Sequence, residues 1–164
     1  MAQHPDPQLA IGDLKGTTRT LAEWTTIFQL CLVILPDRPE GSRWIPVARR
    51  IFATFGEANC HTAYVVPSTA SVARRILGDA VDEAMVFLDP DRALVTSLGL
   101  ERLPAFVHLR QDTSLGAAAE GWDPREWQRT AREIARSMSW IAPDLADLHD
   151  PPPTQGWALH VNTG

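Results

Sequence analysis

A proline standing directly before an alternating apolar run constrains this chain more than any other feature. In LGLERLPAFVHLR, residues 98–110, Pro104 follows Leu103 and precedes Ala105, Phe106, Val107, His108 and Leu109. Proline has no N–H to give to a sheet ladder, so it belongs at the first residue of a strand or in a tight turn. It also pushes Leu103 toward extended geometry, and an X–Pro bond at such a place is a candidate for the cis form. The residues that follow read as a core strand, with His108 either facing solvent or lying under a terminal helix.

A second run sets the centre of the sheet. Residues 28–35, FQLCLVIL, are almost continuously apolar and end at Pro36, the pattern of a strand buried on both faces. Cys31 inside it reads as a small buried hydrophobe. Further strands are expected at residues 9–14, 61–66, 84–88 and 115–119. Between them, Ile45, Ala48, Ile51, Phe52 and Phe55 recur at helical spacing, with Ser42 as the expected cap, Pro46 early in the helix and Gly56 as the stop. Thr20 and Glu23 have capping-box spacing. Ser68 or Ser71 is expected to cap a short helix ending at Gly78, and another short helix is expected over 92–98. Asp123, Pro124 and Glu126 mark a strong helix start, and Trp127, Ala131, Ile134, Ala135 and Met138 then line one face. Strands alternating with helices predict a mixed sheet covered on both faces, with right-handed crossovers in its parallel part.

With 164 residues, 45% of them hydrophobic, the chain has enough material for one domain with a sizeable core. Its net charge of −5 and its merely paired arginines offer no footprint for nucleic acid or a membrane surface. No apolar run approaches the about 20 residues that span a bilayer. The opening residues lack a basic stretch followed by an apolar one, so no secretory leader is expected and the chain is placed in the cytoplasm. Cys31 and Cys60 form neither a Cys-x-x-Cys pair nor a metal-ligand spacing. His4, His108, His149 and His160 are scattered. No metal and no cofactor is expected.

The order of these elements resembles the thioredoxin-like superfamily, in the branch shared by TlpA/ResA-type thiol-disulfide proteins and relatives of the peroxiredoxins. The Asp-Leu-Lys-Gly turn and Leu-Ala-Glu-Trp are similar to that branch's N-terminal hairpin. Leu88-Asp89-Pro90-Asp91 resembles its insert, and Gly99 with Leu103-Pro104-Ala105-Phe106 resembles the segment ending in its cis-proline. The resemblance runs over residues 9–138. It implies an α/β fold of three layers, α/β/α, with a mixed central sheet and an N-terminal β-hairpin extension. The expected division is a flexible N-terminus at 1–8, the domain at 9–139 and an extended C-terminal tail at 140–164. Aligning Pro46 with the family's helix-kinking proline puts Arg38 and Gly41 where the two redox cysteines would stand. Disulfide exchange needs an attacking thiolate and a resolving thiol, and this loop supplies neither.

The expectation that follows is a non-catalytic protein. It would bind a protein or peptide, in an assembly or chaperone-like role, through a degenerate groove of Arg38, Pro39, Glu40, Gly41, Trp44, Leu103 and Pro104, or through the tail. Trp157 in the PPPTQGW segment would then either contact a partner or pack back on its own domain, and association between copies stays open. The alternative is an atypical thiol oxidoreductase or redox sensor that uses Cys60 as a single reactive thiol. Its neighbour His61 points to the opposite face of the strand, so the two do not make a Cys–His dyad.

Overall fold

A computed structural model describes residues 1–159. Strands β1 (Ala10–Asp13) and β2 (Thr18–Thr20) form the N-terminal hairpin, followed by the single helical turn α1 (Leu21–Trp24) and the central strand β3 (Gln29–Ile34). A 3-10 segment, Pro39–Trp44, runs straight into α2 (Ile45–Phe55). Then come β4 (Cys60–Val66), α3 (Ala70–Leu77), β5 (Met85–Leu88), α4 (Ala93–Ser97), the short β6 (Arg102–Leu103), β7 (Ala105–Leu109), β8 (Leu115–Glu120), α5 (Pro124–Ser137) and β9 (Trp157–Ala158).

Seven strands make one sheet in the order β2-β1-β5-β4-β3-β7-β8. Pairing is parallel for β3 with β4 and β4 with β5, and antiparallel for the remaining pairs. The all-apolar run of β3 follows from this placement, since it has neighbours on both sides and a packed layer on both faces. Cys31, Val33 and Leu35 join Trp44, Val47, Ile51, Trp127 and Ile134 on the face covered by α2 and α5. Leu30, Leu32 and Ile34 join Leu21, Trp24, Leu94 and Leu98 on the other. The fold is thioredoxin-like α/β, with the hairpin extension forming one edge of the sheet.

Local signals account for most helix ends. Thr20 and Glu23 make the reciprocal capping box, and Asp123 accepts a hydrogen bond from the Arg125 N–H with Pro124 at the first helical position. Two ends differ from expectation. Thr69, rather than Ser68 or Ser71, caps α3 by accepting from the Val72 N–H. Ser42 caps nothing; its hydroxyl donates to the Pro39 carbonyl, because Pro39 starts the 3-10 turn three residues earlier. A proline's fixed φ suits that first position.

Both ends of the described segment are tied down. The Gln3 N–H donates to the Leu98 carbonyl at 2.8 Å and the Asp6 N–H to the Ser97 hydroxyl at 2.8 Å, so residues 1–8 lie along α4 rather than loose. Residues 140–159, expected as an extended tail, run back over the domain. The Trp140 indole N–H donates to the Thr54 carbonyl, and Trp122 and Thr154 exchange two backbone hydrogen bonds of 2.8 Å. The indole N–H of Trp122 reaches the Pro151 carbonyl, and Arg50 on α2 pairs with Asp147 and Asp150. His160 lies outside the described residues. Among the described residues no helix is long and apolar enough to cross a membrane.

Candidate functional site

The groove residues do come together, but the groove is filled. The Leu103–Pro104 peptide is cis, and Leu103, Pro104, Gly41 and Trp44 are buried while Arg38 and Pro39 are exposed and Glu40 is half-buried. Against Leu103 lies the chain's own β9, with Arg102 facing Ala158 and Leu103 facing Trp157 in an antiparallel ladder. The Trp157 ring meets Trp44 edge to face at 5.8 Å, and the Arg38 guanidinium sits over it at 4.8 Å. Gly156 makes this approach possible. Its φ is +74°, and a β-carbon there would fall on the Leu103 carbonyl oxygen. What remains between Pro36, Arg92 and Leu159 is a cavity of about 100 Å³.

The chain's two cysteines lie toward the other end of β3. Cys31 is its third residue and Cys60 is the first residue of β4, on the same face of the sheet. In the parallel register Gln29 stands opposite Cys60 and Cys31 opposite Thr62, so the two cysteines are diagonal neighbours. Their Sγ atoms are 2.8 Å apart, with the Cys60 thiol also 3.5 Å from the His61 carbonyl oxygen. A disulfide bond is about 2.05 Å long, so less than about 1 Å of closure separates this contact from a bond. Both thiols are free. Cys31 is wholly buried and Cys60 is 4% exposed. Hydrogen bonding to Cys60, and then burial, push the Cys31 thiol well up, keeping it protonated at neutral pH.

A third polar group faces this pair. His108 stands directly opposite Cys31 across the β3–β7 ladder, where opposed side chains share a face. It is 1% exposed and its Nε2 bonds the Gln29 side-chain oxygen. Gly116 leaves room for the ring, since a β-carbon there would fall on His108 Nδ1. Burial, with a smaller contribution from Arg110, pushes the imidazole down to about 4. His61, by contrast, lies on the opposite face from Cys60, with its ring 4.4 Å from Phe28. No group of His, Cys, Asp or Glu side chains suited to a metal ion occurs among the described residues.

Sequence reasoning singled out Cys60 and treated Cys31 as filler, so it missed the pairing. The signal was present in part. Both residues fall on inward positions of strands joined by one crossover, but which rung faces which is set by α2 and its loops, not by the strand patterns.

No protein-family model and no curated protein sequence matches the chain. Solved structures do. A protein assigned as the thiol:disulfide interchange protein DsbE from Chlorobium tepidum is similar with a TM-score of 0.69 at 14% identity, covering 84% of this chain and 98% of that one. Peroxiredoxin Q from Xanthomonas campestris is similar with a TM-score of 0.63 at 12% identity over 80% and 92%. A thioredoxin-type protein from Neisseria meningitidis gives 0.62 at 16% identity over 85% and 95%.

The functional expectation is therefore corrected. A non-catalytic module needs an open groove beside Pro104 or a free tail, and here each occupies the other. The neighbours are a thiol:disulfide interchange protein, a peroxiredoxin and a thioredoxin, and two thiols lie in contact in this chain. These findings favour the redox alternative over the binding module. At such identities the likeness speaks to architecture alone: the chain has a thioredoxin-like α/β fold.

Proposed function

We propose that this chain is a thiol-based redox protein whose working unit is Cys60 with Cys31 as its resolving partner. The observation that carries this reading is the 2.8 Å contact between the two sulfur atoms. Cys60 takes the attacking role because it is the more exposed of the two, at the first position of β4, whereas Cys31 lies inside β3. With a hydroperoxide as oxidant, the Cys60 sulfur attacks the peroxide oxygen, the O–O bond breaks, and Cys60 becomes a sulfenic acid while an alcohol leaves. The Cys31 sulfur then displaces the hydroxyl, the S–S bond forms and water departs. Two thiols are oxidised and one peroxide is reduced. The near-complete burial of both sulfurs favours a slow, sensor-like response over rapid turnover, since reaction follows thiolate character and access. In the cytoplasm, where we place the chain, such a pair rests as the dithiol.

The test is oxidation of the native protein with a small hydroperoxide, read by intact mass and thiol titration. The expected product is lighter by two hydrogen atoms and has no free thiol, and dithiothreitol restores it. Cys31→Ser is expected to stop at the Cys60 sulfenic acid, trapped by dimedone, and Cys60→Ser to stay unmodified. Native protein that keeps both thiols at peroxide exposures that oxidise a free cysteine peptide would refute this assignment.

A further inference from the structure

Cys31 and Cys60 do not share a rung. Cys60 stands opposite Gln29 and Cys31 opposite Thr62, so two residues of register separate them. Neighbouring strands lie about 4.8 Å apart and a parallel strand rises about 3.3 Å per residue, which sets these α-carbons about 8 Å apart. A disulfide joins α-carbons about 4.4–6.8 Å apart, and a gap above about 7 Å closes only when the backbone moves. The sulfurs already meet at 2.8 Å. The side chains have therefore used their reach, and the rest of the closure falls to the strands.

The two strands are unequally held. Cys31 has Thr62 on one side and His108 on the other, within a stretch of β3 paired on both sides from Leu30 to Ile34. Cys60, His61 and Thr62 have β3 alone, because the pairing of β4 with β5 begins at Ala63. Ahead of Cys60 lies a turn in which Glu57 and Asn59 are exposed. The start of β4 is therefore the part that yields. His61, next in the chain, points to the opposite face and is lightly held there. Its ring lies 4.4 Å from that of half-buried Phe28, and its Nδ1 is buried with no hydrogen-bond partner among the described residues. Exposure to water supplies the partner that the packed position denies. The residue before Phe28, Ile27, is already 68% exposed.

We propose that the cysteine pair is a conformational switch. Closing the disulfide draws Cys60 toward Cys31, breaks its rung with Gln29 and turns His61 away from Phe28, so that Ile27 and Phe28 become one apolar patch open to solvent. The movement ends at Ala63, where β5 takes up the second side of β4. This output rests on the redox reading above for its oxidant: each thiol gives up one hydrogen, the S–S bond forms, and the hydroperoxide leaves as alcohol and water. Dithiothreitol, itself oxidised to its cyclic disulfide, returns both thiols and with them the register.

Diamide, whose N=N bond takes up the two thiol hydrogens, makes the disulfide without peroxide, and intact mass verifies it. Amide hydrogen exchange at residues 60–62 is expected to be at least about tenfold faster in the oxidised protein than in the reduced one, with residues 32–34 unchanged. Chymotrypsin should cut after Phe28 in the oxidised form first. The double variant Gln29→Cys with Cys31→Ser sets both cysteines on one rung, about 4.8 Å apart at their α-carbons. It is expected to close its disulfide with no gain in exchange. Oxidised wild type that exchanges like the reduced protein overturns the switch, as does a double variant that stays open or gains as much as wild type. A bond that forms with diamide and not with a hydroperoxide overturns the redox reading alone. No bond with either overturns both.

Discussion

Acidification should cost this protein about 3 kcal/mol of stability through one imidazole, and His108→Gln should remove most of that dependence. His108 has an ordinary value of 6.5 when unfolded and is held down to about 4 in the folded protein, chiefly by burial. Every tenfold weakening of proton affinity on folding is worth about 1.36 kcal/mol. The sign follows from proton linkage: below 6.5 the unfolded chain takes up a proton that the folded chain refuses. The contribution is fully present above 6.5, declines as pH falls, and is spent once the folded imidazole protonates near 4.

Other groups bracket this window without reproducing it. His61 is also lowered by burial and acts in the same direction, from a half-buried position. Asp89, buried and accepting hydrogen bonds from the Leu94 and Val95 N–H groups, is raised, first by burial. Its contribution is therefore lost as pH rises through its folded value, opposite to His108. The exposed Glu23, Glu83 and Asp112 are lowered and act only in the carboxylate range. Urea denaturation at intervals between pH 7 and 4.5 measures the difference. A His108→Gln variant that keeps the wild-type slope across this range would show that the imidazole is not the source.

His108 also illustrates what could be read from the residues alone. Its place in an alternating strand was clear, and lying under the terminal helix was one of two orientations left open. The choice depends on Gly116, whose missing side chain admits the ring, and on Gln29, which satisfies it, and both are reached only through neighbouring strands. The same distinction holds elsewhere. Signals complete within a few residues, such as Thr20 with Glu23 or Asp123 with Pro124, appear in the structure as written. The apolar run of β3 declared its central position because burial on both faces leaves no polar alternation. Contacts that need a register were not visible. Cys31 and Cys60 meet because β3 and β4 pair with Gln29 opposite Cys60. The ladder of β6 with β9 has only two residues on each side, too short for a hydrophobic pattern to announce, and proline-rich polar sequence around Pro151 reads as an exposed tail until Trp122, Arg50 and Leu103 supply partners.

Gly156→Val is expected to detach β9 from Leu103 while leaving the thiol pair untouched. A β-branched residue at a φ of +74° costs about 1–3 kcal/mol, and its β-carbon would also overlap the Leu103 carbonyl oxygen, which is backbone and cannot swing aside. The contacts opposing release are modest. The Trp157–Trp44 pair is worth about 0.5–1.5 kcal/mol and Arg38 over the same ring about 0.5–1 kcal/mol. The β6–β9 ladder and the packing of Trp157 on the core add to them, but a β-carbon 2.0 Å from a backbone oxygen has no place in the docked strap, so the strap yields before the domain does, and its docking energy caps the loss of stability at a few kcal/mol. Trp157 should become solvent-exposed, and limited proteolysis should begin to cut within residues 140–158. Cys31 is three residues from Ile34, about 10 Å of strand, and Ile34 pairs with Ala105 beside the cis-proline. The rate of Cys60 oxidation should therefore stay at the wild-type value. A rate that rises once the strap is released would mean that the filled groove guards the thiols, and that the two ends of β3 form one site instead of two.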